Sequence, residues 1–526
     1  MNPVATELQI AVRKVSSVNP ATGAVLRELE CTSESEVRLA VTQARAAQMA
    51  WTAVGVRDRI AVLREFQHRL QEKKSEIANA ITQEAGKPVA EALVTEVLVV
   101  LDAARFLIDN AYRLLQDELL PHGNLAAKLK TGRLVREPYG VVGIISPWNY
   151  PFSIPAMETL AALVAGNAVA LKPSEFTSMV ALELETLLHE SGVPENVFQV
   201  VVGDGATGAA LVREQIDKLV FTGSVATGKR IAAAAAERLL PVVLELGGKD
   251  PMLVLDDADI DVASSAAVWG AFVNAGQACL SVERCYVQRS RYEEFLRACA
   301  EKTKKLRVGP GLDNETDVGP MIHEKQLRIV ESHVTDAVTR GARVLFGGSR
   351  LPELGKNFYQ PTVLADVTHE MSIMREETFG PVLPVMAFDS DDEAVRLAND
   401  SEYGLAASVW TRNRERGERL ARRIQAGTVM VNDVVSCFAI SEAPHGGVKA
   451  SGVGRAHGRF GIEEMVRLKY LDSDLMPGMK KVWWYGYGAR FAQQMEGFVD
   501  FQFARGFGER LRGMLRAAGV VTRKQL

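Results

Sequence analysis

The sequence predicts an α/β protein built on a doubly wound parallel sheet. The first observation behind this is a set of short β-branched runs, "GVVGIIS", "AVALKPS", "VFQVVVG" and "KLVFTGS", each closed by Gly or Ser. The second is that helical stretches such as "METLAALVAG" and "SMVALELETLLHESG" lie between them, an alternation that reads as βαβ units. A third is length: 526 residues exceed one simple core, so two or three domains are expected.

Taken in order, residues 1–15 lack an apolar stretch of signal-peptide length. The following segments, "SESEVRLAVTQARAAQMAW", "DRIAVLREFQHRLQEKKSEIANAITQEAG" and "AEALVTEVLVVLDAARFLIDNAYRLL", carry the 3.6-residue apolar period of helices. "AAKLKTGRLVREPYG" reads as two extended pieces around Thr131-Gly132, a hairpin or protruding strand pair. Residues 139–171 carry only Glu158 as a charge. A membrane span is nevertheless excluded by Pro147, Pro151 and Pro155, and strand, loop, helix and strand are expected instead. A second α/β region follows "LELGGKDPMLVLDDAD" and runs to about residue 447.

With 47% hydrophobic and 24% charged residues and a net charge of −4, the composition is that of a soluble globular protein rather than a basic nucleic-acid binder. The five cysteines include no CxxC pair, which argues against a disulfide framework or a zinc site and for a reducing cytoplasm. Residues 477–526 differ: nine Lys/Arg, three acidic residues and nine aromatics give this tail a charge of +6. Such a tail suits an anionic lipid surface or another protein, or else an arm that packs on the body or on a sister subunit, since glycines at 486, 488, 497, 506 and 508 break its helical pattern.

Five stretches carry chemistry. In "FVNAGQACLSVER", the small residues around Cys279 either leave room for a substrate at its sulfur or make Cys279 a small hydrophobe in a tight place. "FTGSVATGKR" places Gly223 and Ser224 where a strand opens into a helix, either a pyrophosphate turn or a plain connection. "LKPSE" puts Lys172 at a strand end with Glu175 three residues on; a carboxylate there can bind ribose hydroxyls, or Ser174 can cap a helix. In "ISPWNYP" two prolines hold Asn149 in a rigid loop, from which its amide can face an oxyanion or satisfy loop carbonyls. "LELGGK" buries Glu245 between leucines, as a general base of raised pKa or as the partner of Lys249. Cys285, in the strand-like run "RCYVQ", reads as core.

Together "SPWNYP", "LKPSE", "FTGS", "LELGGK", "GQACLS" and "EETFGPVLPV" resemble, in that order, the aldehyde dehydrogenase superfamily over about residues 15 to 475. The resemblance implies the family fold: a Rossmann-like parallel-sheet cofactor domain (1–120 and 139–247), an α/β catalytic domain (248–447) and a protruding oligomerisation arm (121–138 and 464–476), with residues 477–526 as an extension outside it. It implies Cys279 as nucleophile, Asn149 as oxyanion donor and Glu245 as the base that hydrolyses a thioester. For the cofactor, NAD with NADP less favoured, it implies Lys172 and Glu175 at the adenosine ribose and Gly223 and Ser224 at the pyrophosphate. Glu377 and Phe379 hold the nicotinamide ribose and ring, and Ile145, Ser146, Pro147, Trp148, Leu246 and Gly247 line the path. No metal is required, and a homodimer or homotetramer is expected. Glu245 argues against a CoA-acylating relative, and the presence of all three catalytic-type residues argues against a non-catalytic scaffold. The apolar neighbours Ala278 and Leu280 favour a medium- or long-chain or aromatic aldehyde over the alternative, a succinate-semialdehyde-type substrate, whose carboxylate would want Arg284 or Lys449. The extension contains no apolar stretch long enough to span a membrane, so any membrane contact is expected to be peripheral.

Overall fold

The computed structural model describes residues 13–520; the start of the N-terminal segment and the last six residues of the basic extension lie outside the described residues. The chain divides into two compact units, residues 1–116 with 136–467 and residues 117–135 with 468–526.

The larger unit begins with an antiparallel pair that the sequence reading missed, Lys14–Val18 against Val25–Glu30. Helices Glu34–Ala53, Val56–Glu72, Lys74–Ala85 and Leu98–Leu114 follow. The first starts where the sequence dictates: the Ser33 hydroxyl accepts from the Glu36 N–H, and the Glu36 carboxylate accepts from the Ser33 N–H at 2.7 Å. These helices cover a six-stranded sheet in the order Gly452–Val453, Val242–Glu245, Lys218–Thr222, Val141–Ile145, Ala168–Lys172, Phe198–Val200, parallel except at the first, short edge strand. Val141–Ile145 and Ala168–Lys172 are buried along their whole length, which is why they read as continuous apolar runs. The helix between them, Ser153–Ala165, is buried on every side and accepts Pro155 because that residue lies in its first turn.

From the strand Val141–Ile145 the chain first crosses to one neighbour, Ala168–Lys172, and later returns to the other, Lys218–Thr222. A crevice therefore opens at the carboxyl ends of Val141–Ile145 and Lys218–Thr222, the position at which open α/β sheets take ligands. The next residues of the two strands are Ser146–Asn149 and Gly223–Ser224.

A second sheet of seven strands runs Arg343–Phe346, Thr362–Ala365, Val382–Phe388, Val282–Gln288, Asp250–Val254, Ala406–Trp410, Thr428–Val431, with only the first strand antiparallel. It has its own apolar core, which includes Cys285 and Cys299, both fully buried.

In the smaller unit, Glu118–Leu120 pairs antiparallel with Lys130–Pro138, which also borders Val466–Asp474. Thr131-Gly132 is thus no turn: both residues lie inside one continuous strand, and residues 121–129 make the connection. Gly132 is small because a Cβ there would come within 2.9 Å of the His122 and Tyr470 rings. The basic extension forms two helices, Ala489–Phe503 and Phe507–Ala517. They approach at Gly497 and Gly513, where a Cβ on either would meet the other's carbonyl oxygen at 2.7 or 2.6 Å.

Candidate active site

A cavity of about 300 Å³ fills the crevice at the strand ends. Its walls include Pro147, Trp148, Asn149, Gly223, Ser224, Glu245, Leu246, Gly247, Cys279, Glu377 and Phe379, so most of the residues singled out in the sequence meet in one place. Ile145, Ser146, Lys172 and Glu175 do not line it but extend the crevice sideways. Lys172 is the parallel partner of Ile145, and its carbonyl accepts from the Ser146 N–H at 3.0 Å. Its ammonium lies 3.5 Å from the Glu175 carboxylate in the turn before the helix Ser178–Glu190. Ser174 caps no helix; its hydroxyl accepts from the Phe176 N–H at 3.3 Å.

A second cavity, of about 190 Å³, begins on the far side of Cys279. Val94, Val99, Ile154, Leu280, Val435, Phe438 and the rings of Tyr150 and Trp269 give it largely apolar walls, with Thr95 and Ser436 beside them and no charged side chain among its described lining residues. Cys279 lines both cavities, as do Ile154 and Phe438. The sulfur therefore stands at the junction of a polar crevice and an apolar pocket.

The small residues before Cys279 answer to backbone demands more than to open space. Asn274, Ala275 and Gly276 are consecutively left-handed, with φ of 53°, 55° and 72°. A Cβ on Gly276 would fall 2.1 Å from the Gly380 carbonyl oxygen, so the glycine permits a close backbone approach. Of this run only Ala278 faces the apolar pocket. Strain of this kind persists only when its surroundings fix it. Here the Asn274 N–H donates to the Glu91 carboxylate at 3.0 Å, the Asn274 amide donates to the carbonyls of Asn149 (2.9 Å) and Gln277 (3.1 Å), and the Gln277 amide donates back to the Asn274 carbonyl at 2.9 Å.

Asn149 is held from below. Its carbonyl accepts from Lys87 Nζ at 2.7 Å, and Lys87 pairs at 2.7 Å with Glu96, neither side chain being exposed at all. The other Glu96 oxygen accepts the N–H groups of Phe152 and Ser153, each at 2.9 Å, at the start of the helix Ser153–Ala165. One amide hydrogen of Asn149 is taken by the Gln277 carbonyl at 3.1 Å, leaving its second N–H to donate into the cavity.

Neither Glu245 oxygen has a hydrogen-bond partner among the described residues, and burial, with the nearby Glu158 charge, raises its pKa well above the carboxylate range. Lys249 is not its partner: that ammonium pairs with Glu283 at 2.5 Å and donates to Thr378 at 3.1 Å. Glu377 accepts from the Gly248 N–H at 3.1 Å, and burial pushes it up to about 8. Gly247 lets the Glu377 carboxylate lie where it does, since a Cβ there would come within 2.4 Å of it and displace it. Burial first, then the charges of Asp250, Glu377 and Glu245, push the Cys279 thiol far up, so its sulfur needs a base to become nucleophilic.

The residues present fit a dinucleotide. The twelve-residue helix Val225–Ala236 opens at the crevice with Ser224 as its cap, Gly223 leaves the turn bare, and the buried Ser146 hydroxyl has no partner among the described residues. Several site residues escaped the sequence reading: His445, His457, Phe438 and the Lys87–Glu96 clamp. A signal existed for Glu158, the one charge in the apolar stretch 139–171, which lines the same cavity.

The strand-end crevice thus brings together a cysteine, a buried carboxylate and an amide donor. The comparisons with known proteins name the family: the model described as "Aldehyde dehydrogenase family" matches residues 9–471. A 4,4'-diapolycopene aldehyde oxidase of Methylomonas sp is 40% identical over 492 residues, covering 93% of this chain and 91% of that protein. The mitochondrial succinate-semialdehyde dehydrogenase of Oryza sativa subsp. japonica is 38% identical, covering 86% and 85%. The crystal structure of an NAD-dependent aldehyde dehydrogenase from Sinorhizobium meliloti superposes with a TM-score of 0.84 at 38% identity, covering 88% of this chain and 92% of that one. The chain belongs to the aldehyde dehydrogenase family and is an NAD(P)-dependent oxidoreductase acting on aldehydes.

The clamp beneath Asn149 makes a stability prediction. Glu96→Ala strands the Lys87 ammonium in the interior and frees the Asn149 loop; urea unfolding is expected to show a loss of about 3 kcal/mol, the cost of breaking a buried pair from one side.

Proposed function

We propose that this chain oxidises apolar aldehydes, medium- or long-chain or aromatic, to carboxylic acids through a thioester on Cys279. The observation that carries this reading is the apolar pocket beyond Cys279, which has no cationic side chain in its walls. The two candidates for gripping a substrate carboxylate are engaged elsewhere. Arg284 is buried and donates to the carbonyls of Lys249 (2.8 Å) and Ala398 (2.9 Å), and Lys449 donates to those of Asn399 (2.9 Å) and Ser401 (3.0 Å). Succinate semialdehyde remains the second reading because a relative of that name is 38% identical.

In this reading Glu245 takes the Cys279 thiol proton and passes it on before hydrolysis, the sulfur bonds to the aldehyde carbon as the carbonyl π pair moves to oxygen, and the oxyanion so formed sits against the free Asn149 N–H and the Cys279 backbone N–H. When bound, NAD supplies the acceptor for the hydride that leaves that carbon, held by Lys172, Glu175, Gly223, Ser224, Glu377 and Phe379. Glu245 then takes a proton from water, the water oxygen bonds to the acyl carbon, and the C–S bond breaks with its electrons on sulfur. The cofactor domain is residues 1–120 with 139–247 and the catalytic domain is residues 248–447. Residues 121–138 and 464–476 serve as the arm of a homodimer or homotetramer.

The extension gives such an enzyme a place to meet its substrate. The helix Phe507–Ala517 presents Phe507, Leu511, Met514 and Leu515 along one stripe, Phe507 83% and Leu515 66% exposed, and carries Arg510, Arg512 and Arg516 against a single Glu509. An apolar stripe edged by arginines matches an anionic bilayer surface. No described helix is long and apolar enough to cross a membrane, so the contact is interfacial.

Three measurements test these statements. NADH formation without CoA should climb along a series of straight-chain aldehydes and exceed that with succinic semialdehyde, and it should vanish in Cys279→Ala; a preference for the semialdehyde would overturn the substrate assignment. Glu175→Gln, which removes the charge opposed to a 2′-phosphate, should raise the rate with NADP relative to NAD. Phe507→Ser/Leu511→Ser/Leu515→Ser in the full chain should abolish co-sedimentation with vesicles rich in anionic lipid; equal sedimentation of the two proteins would remove the membrane contact.

A further inference from the structure

One buried carboxyl and two imidazoles stand beside Glu245 with no part in the reaction as written. Glu158 projects from the helix Ser153–Ala165; one of its oxygens accepts from the Thr222 hydroxyl at 3.2 Å, and the other is buried with no partner among the described residues. His445 brings Nε2 to 3.9 Å from a Glu245 oxygen. His457 stacks on His445 with ring centroids 5.2 Å apart and planes 24° from parallel, and Phe438 meets both rings edge to face at 5.3 and 4.9 Å. The Nδ1 atom of His457 is buried and unpartnered among the described residues.

Behind these groups lies a small chamber of about 30 Å³, room for about two waters at 10–15 Å³ each. Glu158, Ala456 and His457 line both this chamber and the main cavity, so they form the wall between them. Arg455 and Ser441 add polar atoms on the chamber side.

The chemistry needs such a wall. Aldehyde, NAD and water give carboxylate, NADH and two protons, and one of these rests on Glu245 after each hydrolysis. Glu245 is 5% exposed, and the front of the cavity is where aldehyde and dinucleotide sit. We propose that His445, His457 and Glu158 carry the proton from Glu245 to the rear chamber. The inference rests on the reading of Glu245 as the base, and these residues act through Glu245, not on the substrate.

The ionisation of the cluster agrees. Burial lifts Glu158 to about 8, which lets it take or give a proton near neutrality. Burial, then the Arg455 charge, lowers His445 to about 4, and burial, then His445, holds His457 low, so both rings rest neutral and would pass a proton by gaining one at one nitrogen as the other releases one, without resting as imidazolium. The charged or titratable groups facing Glu245 are Glu158, Arg455, Glu464 and His445.

The test uses the full chain and 4-nitrophenyl hexanoate without dinucleotide, so that acylation of Cys279 and its hydrolysis are read apart from hydride transfer. In Glu158→Gln/His457→Gln and in His445→Gln, the first nitrophenolate turnover should keep the wild-type rate. Steady hydrolysis should fall about tenfold or more, the scale of a lost proton-transfer group. Added imidazole should restore it in proportion to its concentration, and Glu158→Asp, which keeps the carboxyl, should retain it with its pH profile. Unchanged steady hydrolysis, or a loss that imidazole does not restore, would overturn the relay. Failure of the wild-type protein to acylate at all would overturn the Cys279 reading instead.

Discussion

The buried Lys87–Glu96 pair is the interaction on which the site depends. A loop that leaves an apolar strand and enters an apolar helix has backbone groups with no water to meet them. Glu96 takes two of those N–H groups and Lys87 takes one carbonyl, so a single ion pair satisfies both ends of the turn that displays Asn149. Asn274 adds a second donor to the same carbonyl and links the turn to the left-handed run before Cys279. Two segments from the two sheets are thereby fixed against each other at the point where their side chains must cooperate. Precision of this kind is what a preorganised oxyanion donor requires.

The same interior that fixes the loop concentrates carboxyls. Glu158, Glu245 and Glu377 line one cavity, and Asp250 lies close enough to act on the Cys279 thiol. Burial raises all four above the ordinary carboxylate range, which makes each a stronger proton acceptor once ionised. The cations nearby are committed: Lys249 to Glu283, and Arg455 to the backbone carbonyls of Gly447 and Gly454. In the proposed reading, buried carboxyls that bind protons readily suit chemistry in which every turnover deposits protons.

Much of this was legible in the sequence, for identifiable reasons. The parallel strands Val141–Ile145 and Ala168–Lys172 announce themselves because burial on both faces leaves only apolar residues. The residues of the cavity cluster at strand ends, where Gly, Pro and polar residues interrupt those runs. Thr131-Gly132 misled because a glycine between polar residues signals a turn locally, whereas here it yields space to the His122 and Tyr470 rings, a reason that exists only in three dimensions. The Lys87–Glu96 clamp and the His445–His457 stack were invisible for the same cause: nothing in a spacing of nine or twelve residues in loops and irregular helix turns declares a contact. The hairpin Lys14–Val18/Val25–Glu30 was missed because its second strand is mostly exposed and the adjacent charges Arg27 and Glu28 break the polar–apolar alternation of a strand.

The position of Cys279 ties the chain's two unusual features together. Its sulfur closes the inner end of an apolar pocket whose walls come from Val94 and Val99 on one side, Trp269 on another and the segment Val435–Ala439 on a third. In the proposed reading, a pocket with no charged side chain among its described lining residues selects chiefly by the apolar area that the aldehyde's chain buries. Aldehydes with long apolar chains partition into bilayers for the same physical reason that they would fill this pocket. An enzyme drawing on that pool gains from standing at the bilayer surface, and the exposed stripe Phe507, Leu511, Met514 and Leu515 supplies apolar contact without the length of a membrane span. In the proposed reading the pocket and the extension answer to one constraint, the transfer of apolar surface out of water.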